Sequence, residues 1–200
     1  MMSKGFLVFE RIFFVPTDIR SLILFRILYC SVLAGAHLPQ MSRIEHLYSS
    51  PMSVYFPIPL FEWCGFGQLP VSVVRASGVL LLLGLLCAAS GTFTRLALTV
   101  SWIAFFFFYG TVLGFEKPEP NALSFYTYHY NNVVFFILLI LSAAPRIGVW
   151  GVDAVRKRGW AEVSGFWRQA TVPTVPTWPL TLIKLTLALA YCGAGFTKLL

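Results

Sequence analysis

Five apolar segments dominate the pattern of hydrophobic and polar positions along the chain. Polar, charged or proline-rich stretches separate each segment from the next. A helix needs about 20 apolar residues to cross roughly 30 Å of hydrocarbon, and each segment reaches that length. The pattern therefore predicts an all-α fold, a polytopic transmembrane helix bundle. Its five spans are predicted at residues 18–38, 70–89, 96–115, 124–144 and 178–200.

The residues before the first span have a different pattern. Within 1–17, Phe6 and Phe9 lie close in sequence to Lys4 and Arg11. Aromatic and basic residues in one short stretch are typical of a segment that lies along the membrane surface. The sequence thus predicts an interfacial N-terminal segment at 1–17, followed by one transmembrane domain.

The composition supports the same class of protein. Hydrophobic residues make up 58% of the chain and charged residues 12%, and the mean hydropathy is +0.76. Soluble domains have about a quarter of their residues charged. No polar stretch is long enough for a second, water-soluble domain. We therefore expect the chain to lie in a lipid bilayer, as an integral, multi-pass membrane protein.

The net charge of +7 is distributed unevenly between the two sides of the predicted bundle. Nine Lys and Arg residues fall on the side of the N-terminus: Lys4, Arg11, Arg20, Arg95, Arg146, Arg156, Lys157, Arg158 and Arg168. Two fall on the opposite side: Arg43 and Lys117. Cytoplasmic loops carry such an excess, so a cytoplasmic N-terminus is predicted. Because these charges lie between spans, we expect no nucleic acid partner.

The four cysteines form no CxxC pair, and three of them lie within apolar segments. Cysteine in such a segment usually acts as a small hydrophobic residue. The sequence predicts neither a disulfide framework nor a metal site.

A charged residue within a span costs free energy, so each one needs a structural or functional explanation. Lys184, near the start of span five, is expected to reach the interface with its flexible side chain. For Arg26 three interpretations stay open: an ion pair with Asp18, a bond to a backbone carbonyl, or a functional role. Arg75, one turn inside span two, is a candidate for an outer cavity.

The polar opening of span four is the most informative pattern. In Tyr-Thr-Tyr-His-Tyr-Asn-Asn, His129 has Tyr126 three residues before it and Asn132 three residues after it. Residues at this spacing share one helix face. The group predicts a site at the outer end of the span. The alternative is an aromatic belt with an interfacial histidine.

Lys198, near the end of span five, is predicted at the same membrane face as His129. The small residues Gly193, Ala194 and Gly195 precede it and allow a close helix neighbour. In an apolar cavity, desolvation favours the neutral amine, which can act as a base. The alternative is a lysine that reaches the headgroups from a helix end.

Several short stretches resemble one known family. Span one carries Arg26 in Leu-Ile-Leu-Phe-Arg-Ile, and span two is followed by Gly-Thr-Phe-Thr and Arg95. Span four opens with Tyr-His-Tyr-Asn-Asn. Span five begins with Trp-Pro-Leu and ends with Tyr-Cys-Gly-Ala-Gly-Phe-Thr-Lys-Leu. From Arg20 to Leu200 the chain resembles the HTTM (horizontally transferred transmembrane) domain, which is shared with vitamin K-dependent gamma-carboxylase.

The resemblance implies a chemical role for this pattern. In the carboxylase a lysine of the matching motif deprotonates vitamin K hydroquinone, and oxygenation then yields a strong base. That base removes a γ-proton from a peptide glutamate, and carbon dioxide adds to the carbanion. Lys198 matches the lysine and His129 matches a histidine that assists it. Tyr126, Asn132 and Arg75 are candidates for the substrate or quinol cavity.

The resemblance implies a gamma-carboxylase-like lyase that uses reduced vitamin K or another quinol, with no metal expected. It also implies an HTTM-like domain at 18–200 that is incomplete at its C-terminus, because the carboxylase continues with further spans and a lumenal region. Thr197 stands where the carboxylase has a second lysine. The partner would be a protein substrate or another membrane subunit. The alternative is a non-enzymatic membrane subunit or anchor module. The membrane would be the cell membrane in a bacterium, or of endoplasmic-reticulum type in a eukaryote.

Overall fold

The computed structural model describes residues 12–49, 55–115, 122–169 and 172–196, with backbone alone for 59–60, 122–129 and 193–196. This part of the chain contains five long helices, three short ones, a 3-10 turn and a two-stranded ribbon. In chain order the elements are β1 (Pro16–Asp18), α1 (Ile19–Ser49), α2 (Pro59–Trp63), α3 (Val71–Ser90), α4 (Thr94–Phe115), α5 (Ala122–Ala143), α6 (Val152–Arg158), α7 (Trp160–Gly165), the 3-10 turn (Phe166–Arg168), β2 (Thr174–Pro176) and α8 (Trp178–Phe196).

The five long helices pack against one another in chain order. α1 packs on α3, α3 on α4, α4 on α5, and α5 on α8. One apolar core takes side chains from all five of these helices. Its buried members include Leu22, Leu85, Leu98, Leu138 and Ile183. The predicted all-α, polytopic helix bundle is confirmed.

Three of these helices satisfy the length and hydropathy of a membrane span on their own. Within the described residues they are α1, α3 and α4. α5 and α8 are helices of 22 and 19 residues. Their apolar parts with described side chains, Tyr130–Ala143 and Trp178–Cys192, are shorter than a full span. The five long helices occupy the positions of the five predicted spans.

The first helix is longer than the predicted span at 18–38. α1 continues through Pro39 to Ser49, for 31 residues in total. A proline removes one backbone hydrogen bond from a helix, and membrane helices tolerate this when neighbouring helices pack around it. The extension has such support: Ile44 is buried in a cluster with Val74 of α3 and Phe108 of α4. The predicted loop from residue 39 is therefore helical at its start.

Contacts at one end of the bundle join segments that are distant in sequence. β1 pairs antiparallel with β2, which places Thr17 opposite Val175. The turn between α3 and α4 touches the segment after α5, because a Cβ atom on Gly91 would lie only 2.6 Å from the Cα atom of Gly151. Residues 16 and 17 of the predicted interfacial segment thus belong to a ribbon.

We call this the basic end, formed by segments 12–20, 91–95, 144–169 and 172–177. These segments were predicted to share one side of the membrane, and the contacts just described bring them to one end of the bundle. The opposite end, which contains the end of α1 and the start of α3, is the outer end. A cytoplasmic position for the basic end remains a prediction.

Aromatic rings cover α4 at the outer end. Phe61 of α2 is fully buried, and a Cβ atom on Gly110 would overlap its ring. In the same way Tyr55 lies over Gly114, and the backbone N–H of Phe56 donates to the Gly114 carbonyl at 2.7 Å. Burial raises the pKa of the Tyr55 phenol. The two glycines, four residues apart, therefore hold the loop before α3 onto the bundle.

Candidate functional site

A cavity of about 350 Å³ lies between α5 and α8. Its walls are mostly apolar, with one amide and one hydroxyl group. The lining residues are Asn132, Val133, Phe136, Thr186, Leu189 and Ala190. The hydroxyl of Thr186 donates to the Leu182 carbonyl at 2.8 Å, so its oxygen is left to accept. The amide of Asn132 offers both a donor and an acceptor. Mostly apolar walls with a few polar groups are typical of a site for a small molecule.

The predicted site residues relate to this cavity in three ways. Asn132 lines it. His129 and Tyr126 belong to α5, on the N-terminal side of Asn132, but the described part of these two residues is backbone alone. Lys198 lies outside the described residues, two positions after the end of α8 at Phe196. α5 and α8 pack directly against each other, without another helix between them. A shared site for His129 and Lys198 remains a prediction.

Arg75, the remaining cavity candidate, is placed differently. It is exposed on α3 and forms an ion pair with Glu45 of α1, with 2.8 Å between Nη2 and Oε1. Neither residue lines the cavity between α5 and α8. The structure thus connects Arg75 to the extension of α1.

A buried histidine that the sequence pattern did not single out lies inside the bundle. His37 of α1 is fully buried. Its Nε2 is 3.0 Å from the carbonyl oxygen of Gly78, and its Nδ1 is 3.4 Å from the hydroxyl of Tyr109. A carbonyl can only accept, so the Nε2 atom carries the proton and the Nδ1 atom accepts from Tyr109. Phe108 packs against the ring edge to face.

α1 contains a further buried polar group, eight residues before this histidine. The hydroxyl of Tyr29 is buried and has no hydrogen-bond partner within the described residues. An imidazole next to a phenol, as in the pair of His37 and Tyr109, can hold or transfer a proton. The signal in the sequence was a histidine inside an apolar span, which is a functional candidate by default.

Arg26 has a structural role in the described part of the chain. It is fully buried, and its Nη1 and Nη2 donate to the carbonyls of Ile147 and Trp150 at 2.6 and 3.0 Å. Those carbonyls lie in the non-helical segment after α5, where no helix supplies a backbone donor. Asp18 pairs with Arg20 instead, at 3.5 Å. Of the three open interpretations, the backbone carbonyl is the one observed.

Comparison with known families agrees with this architecture. The family model of the HTTM domain matches residues 14–200 of the chain. The chain belongs to the HTTM family. The HTTM chain is an integral membrane protein, as its family and its three long apolar helices show. No curated protein and no solved structure matches it.

Proposed function

We propose that this HTTM chain binds a quinol between α5 and α8 and deprotonates it with Lys198, assisted by His129. The observation that carries the proposal is the cavity lined by Asn132 and Thr186. Ligand sites are typically mostly apolar, between about 300 and 1,000 Å³, with a few polar groups that fix orientation. A quinol has that chemistry, because it combines an aromatic ring with two hydroxyl groups.

The residue positions along the two helices support the same site. His129 precedes Asn132 by three residues in α5, and residues at this spacing share a helix face. Lys198 follows Ala190, which lines the cavity, by eight residues. In sequence, His129 therefore precedes the cavity residues of α5 and Lys198 follows the cavity residues of α8, as the proposal requires. This order is the one expected if the proposed base, Lys198, acts from the outer side on a quinol ring bound in the cavity.

Each protein group has a definite task in the proposed chemistry. A bound quinol supplies a weakly acidic hydroxyl. The neutral amine of Lys198 accepts the proton of that hydroxyl, and His129 assists by accepting or orienting a proton at the same face. Asn132 positions the ring through its amide. Carboxylation of a glutamate substrate, as a gamma-carboxylase-like lyase would perform it, belongs to the proposal through the family resemblance alone.

Binding is tested with the full chain in detergent and with reduced vitamin K under anaerobic conditions. Quenching of tryptophan fluorescence gives the dissociation constant. Asn132→Leu should weaken binding roughly tenfold, which corresponds to one lost hydrogen bond. Ser142→Ala is the matched control in the same helix, because Ser142 bonds within α5 and does not line the cavity. Equal affinities for the two variants would contradict the site.

Base function is tested by oxygen-dependent oxidation of the quinol. Lys198→Ala and Lys198→Arg should both abolish turnover, because arginine keeps the charge and cannot act as a base near neutral pH. Lys184→Arg is the control, since Lys184 belongs to α8 and is exposed. Retained turnover in Lys198→Arg would rule out a lysine base. Absence of both binding and turnover in the unmodified chain would favour a non-enzymatic membrane subunit.

A further inference from the structure

A second cavity of about 350 Å³ lies at the basic end, between the start of α4 and the short helix α6. Arg95 contributes from α4, and Lys157 and Arg158 contribute from α6. Asp153 and Thr94 also line it. This cavity shares no residue with the cavity between α5 and α8.

The charges in this cavity are unbalanced. Three cationic side chains face one carboxylate, and Asp153 already accepts a hydrogen bond from the backbone N–H of Phe93. Arg158 bonds to the Val149 carbonyl and to Glu162. Within the described residues, neither Arg95 nor Lys157 forms an ion pair. Two cations are therefore available to an incoming anion.

The start of α4 adds to the attraction. α4 has 22 residues, and its first turn presents backbone N–H groups and the positive end of the helix dipole. Thr94 is the first residue of the helix and is 4% exposed. Its hydroxyl has no hydrogen-bond partner in the described part of the chain. A phosphate oxygen would accept from both the helix end and the hydroxyl. Gly148 leaves the space beside that hydroxyl open, since an added Cβ atom there would lie 3.3 Å from it.

We propose that this cavity binds a phosphate group, held by Arg95, Lys157 and Arg158 at the start of α4. Lysine, arginine and a helix N-terminus are the groups that recognise phosphate in proteins. Either the headgroup of an anionic phospholipid or free phosphate would present this chemistry.

The opposite face of α6 helps to distinguish the two sources of the phosphate group. A smaller cavity of about 250 Å³ lies there, with apolar walls that include Trp150, Val152 and Trp160. Trp160 is 71% exposed. Tryptophan is enriched where membrane proteins cross the headgroup region, and basic pockets there bind anionic lipid headgroups. A phospholipid would thus find a polar site and an apolar surface on the two sides of one short helix.

The test measures the affinity of the full chain in detergent for three ligands. They are dioctanoyl phosphatidylglycerol, inorganic phosphate, and dioctanoylglycerol, which has the same acyl chains and no phosphate. The readout is a titration by isothermal calorimetry, which needs no knowledge of catalytic activity. We expect phosphatidylglycerol to bind and dioctanoylglycerol not to bind.

Two double variants with equal changes of net charge define the site. Arg95→Gln with Lys157→Gln should weaken binding roughly 25-fold, since each cation next to an anionic headgroup contributes about fivefold. Arg146→Gln with Arg156→Gln is the matched control and should stay within about twofold, because neither residue lines the cavity. All four side chains are exposed, so the fold should survive both changes.

Each outcome decides the proposal. Binding of phosphatidylglycerol but not of inorganic phosphate assigns the site to a lipid. Equal binding of both assigns it to a soluble phosphate compound. Equal weakening in the two double variants, equal binding of dioctanoylglycerol, or no binding of any ligand would overturn the phosphate site. None of these results depends on the quinol cavity, so the two proposals can fail separately.

Discussion

The basic end and the outer end of the bundle are held together by different kinds of contact. At the basic end, buried Arg26 donates to two backbone carbonyls, and the backbones of Gly91 and Gly151 touch. At the outer end, the rings of Tyr55 and Phe61 lie over glycines of α4. The first set of contacts is made by backbone atoms and a fixed charge. The second set is made mainly by rotatable side chains, together with the backbone hydrogen bond from Phe56 to Gly114.

This difference predicts how each end responds to change. Backbone atoms in contact cannot move apart without displacing a whole segment, and a buried charge cannot be left without its acceptors. An aromatic ring can turn about its side-chain bonds and move until an added methyl group fits. The basic end should therefore tolerate substitutions poorly and the outer end better. The tests below begin with the largest expected effect.

The two ends should lie on opposite sides of the membrane. Two single-cysteine variants test this. One keeps Cys64, which is exposed in the connection at the outer end, as its only cysteine, and the other carries Lys157→Cys, at the basic end, in a chain without the native four. In intact cells, an impermeant thiol reagent should label Cys64 fully and Lys157→Cys only after permeabilisation. A variant without any cysteine gives the background. Labelling of the 157 position alone from outside would reverse the topology deduced from the basic residues.

Removal of the buried arginine should be the most damaging single change to stability. Arg26→Leu leaves the carbonyls of Ile147 and Trp150 without a charged donor, so the free energy of unfolding should fall by about 3–5 kcal/mol. Steric-trap unfolding in bicelles measures it. Arg43→Leu, at an exposed position of α1, should change it by less than about 0.5 kcal/mol. A higher free energy of unfolding for Arg26→Leu would contradict this expectation. It would show that burying the charge costs more free energy than its two hydrogen bonds contribute.

Alanine substitutions at the two glycine contacts should compare the tolerance of the two ends directly. Gly91→Ala should cost about 2–4 kcal/mol, because its Cβ atom meets the Gly151 backbone and because Gly91 has a φ of +80°. Gly110→Ala should cost about 1–2 kcal/mol, because only the Phe61 ring has to shift. The same unfolding measurement compares them.

A second substitution sharpens this test. Phe61→Leu should recover part of the loss in Gly110→Ala, because the smaller side chain leaves room for the new methyl group. No side-chain substitution near Gly91 should have that effect, since the obstacle is the Gly151 backbone. Equal costs for the two alanine variants, or no recovery with Phe61→Leu, would remove the distinction between the ends.

The bundle was predictable because its signal is local. Twenty apolar residues in a row specify a spanning helix whatever surrounds them. The extension of α1 to Ser49 was not predictable in this way, because it depends on Ile44 packing against α3 and α4. β1 and β2 have three residues each, which is too short for a recognisable alternation. Their pairing depends on a contact across most of the chain.

The site was predictable only in part. The polar opening of span four singled out Asn132, which lines the cavity between α5 and α8, and its role in a site remains a prediction. His37 was passed over because a single histidine in an apolar span has no local partner in the sequence. Its partners, Gly78 and Tyr109, come from two other helices and meet it only in the folded protein. Arg26 needed the fold for the same reason, since its two carbonyls lie more than a hundred residues away.

The ribbon at the basic end has a consequence for the order of events during synthesis. Pro16 pairs with Pro176, so β1 leaves the ribosome 160 residues before its partner. At a synthesis rate of 5–20 residues per second, β1 must wait roughly 10–30 s while four long helices enter the membrane. The start of α8 can therefore dock beside the start of α1 only after the residues up to Pro176 have been made.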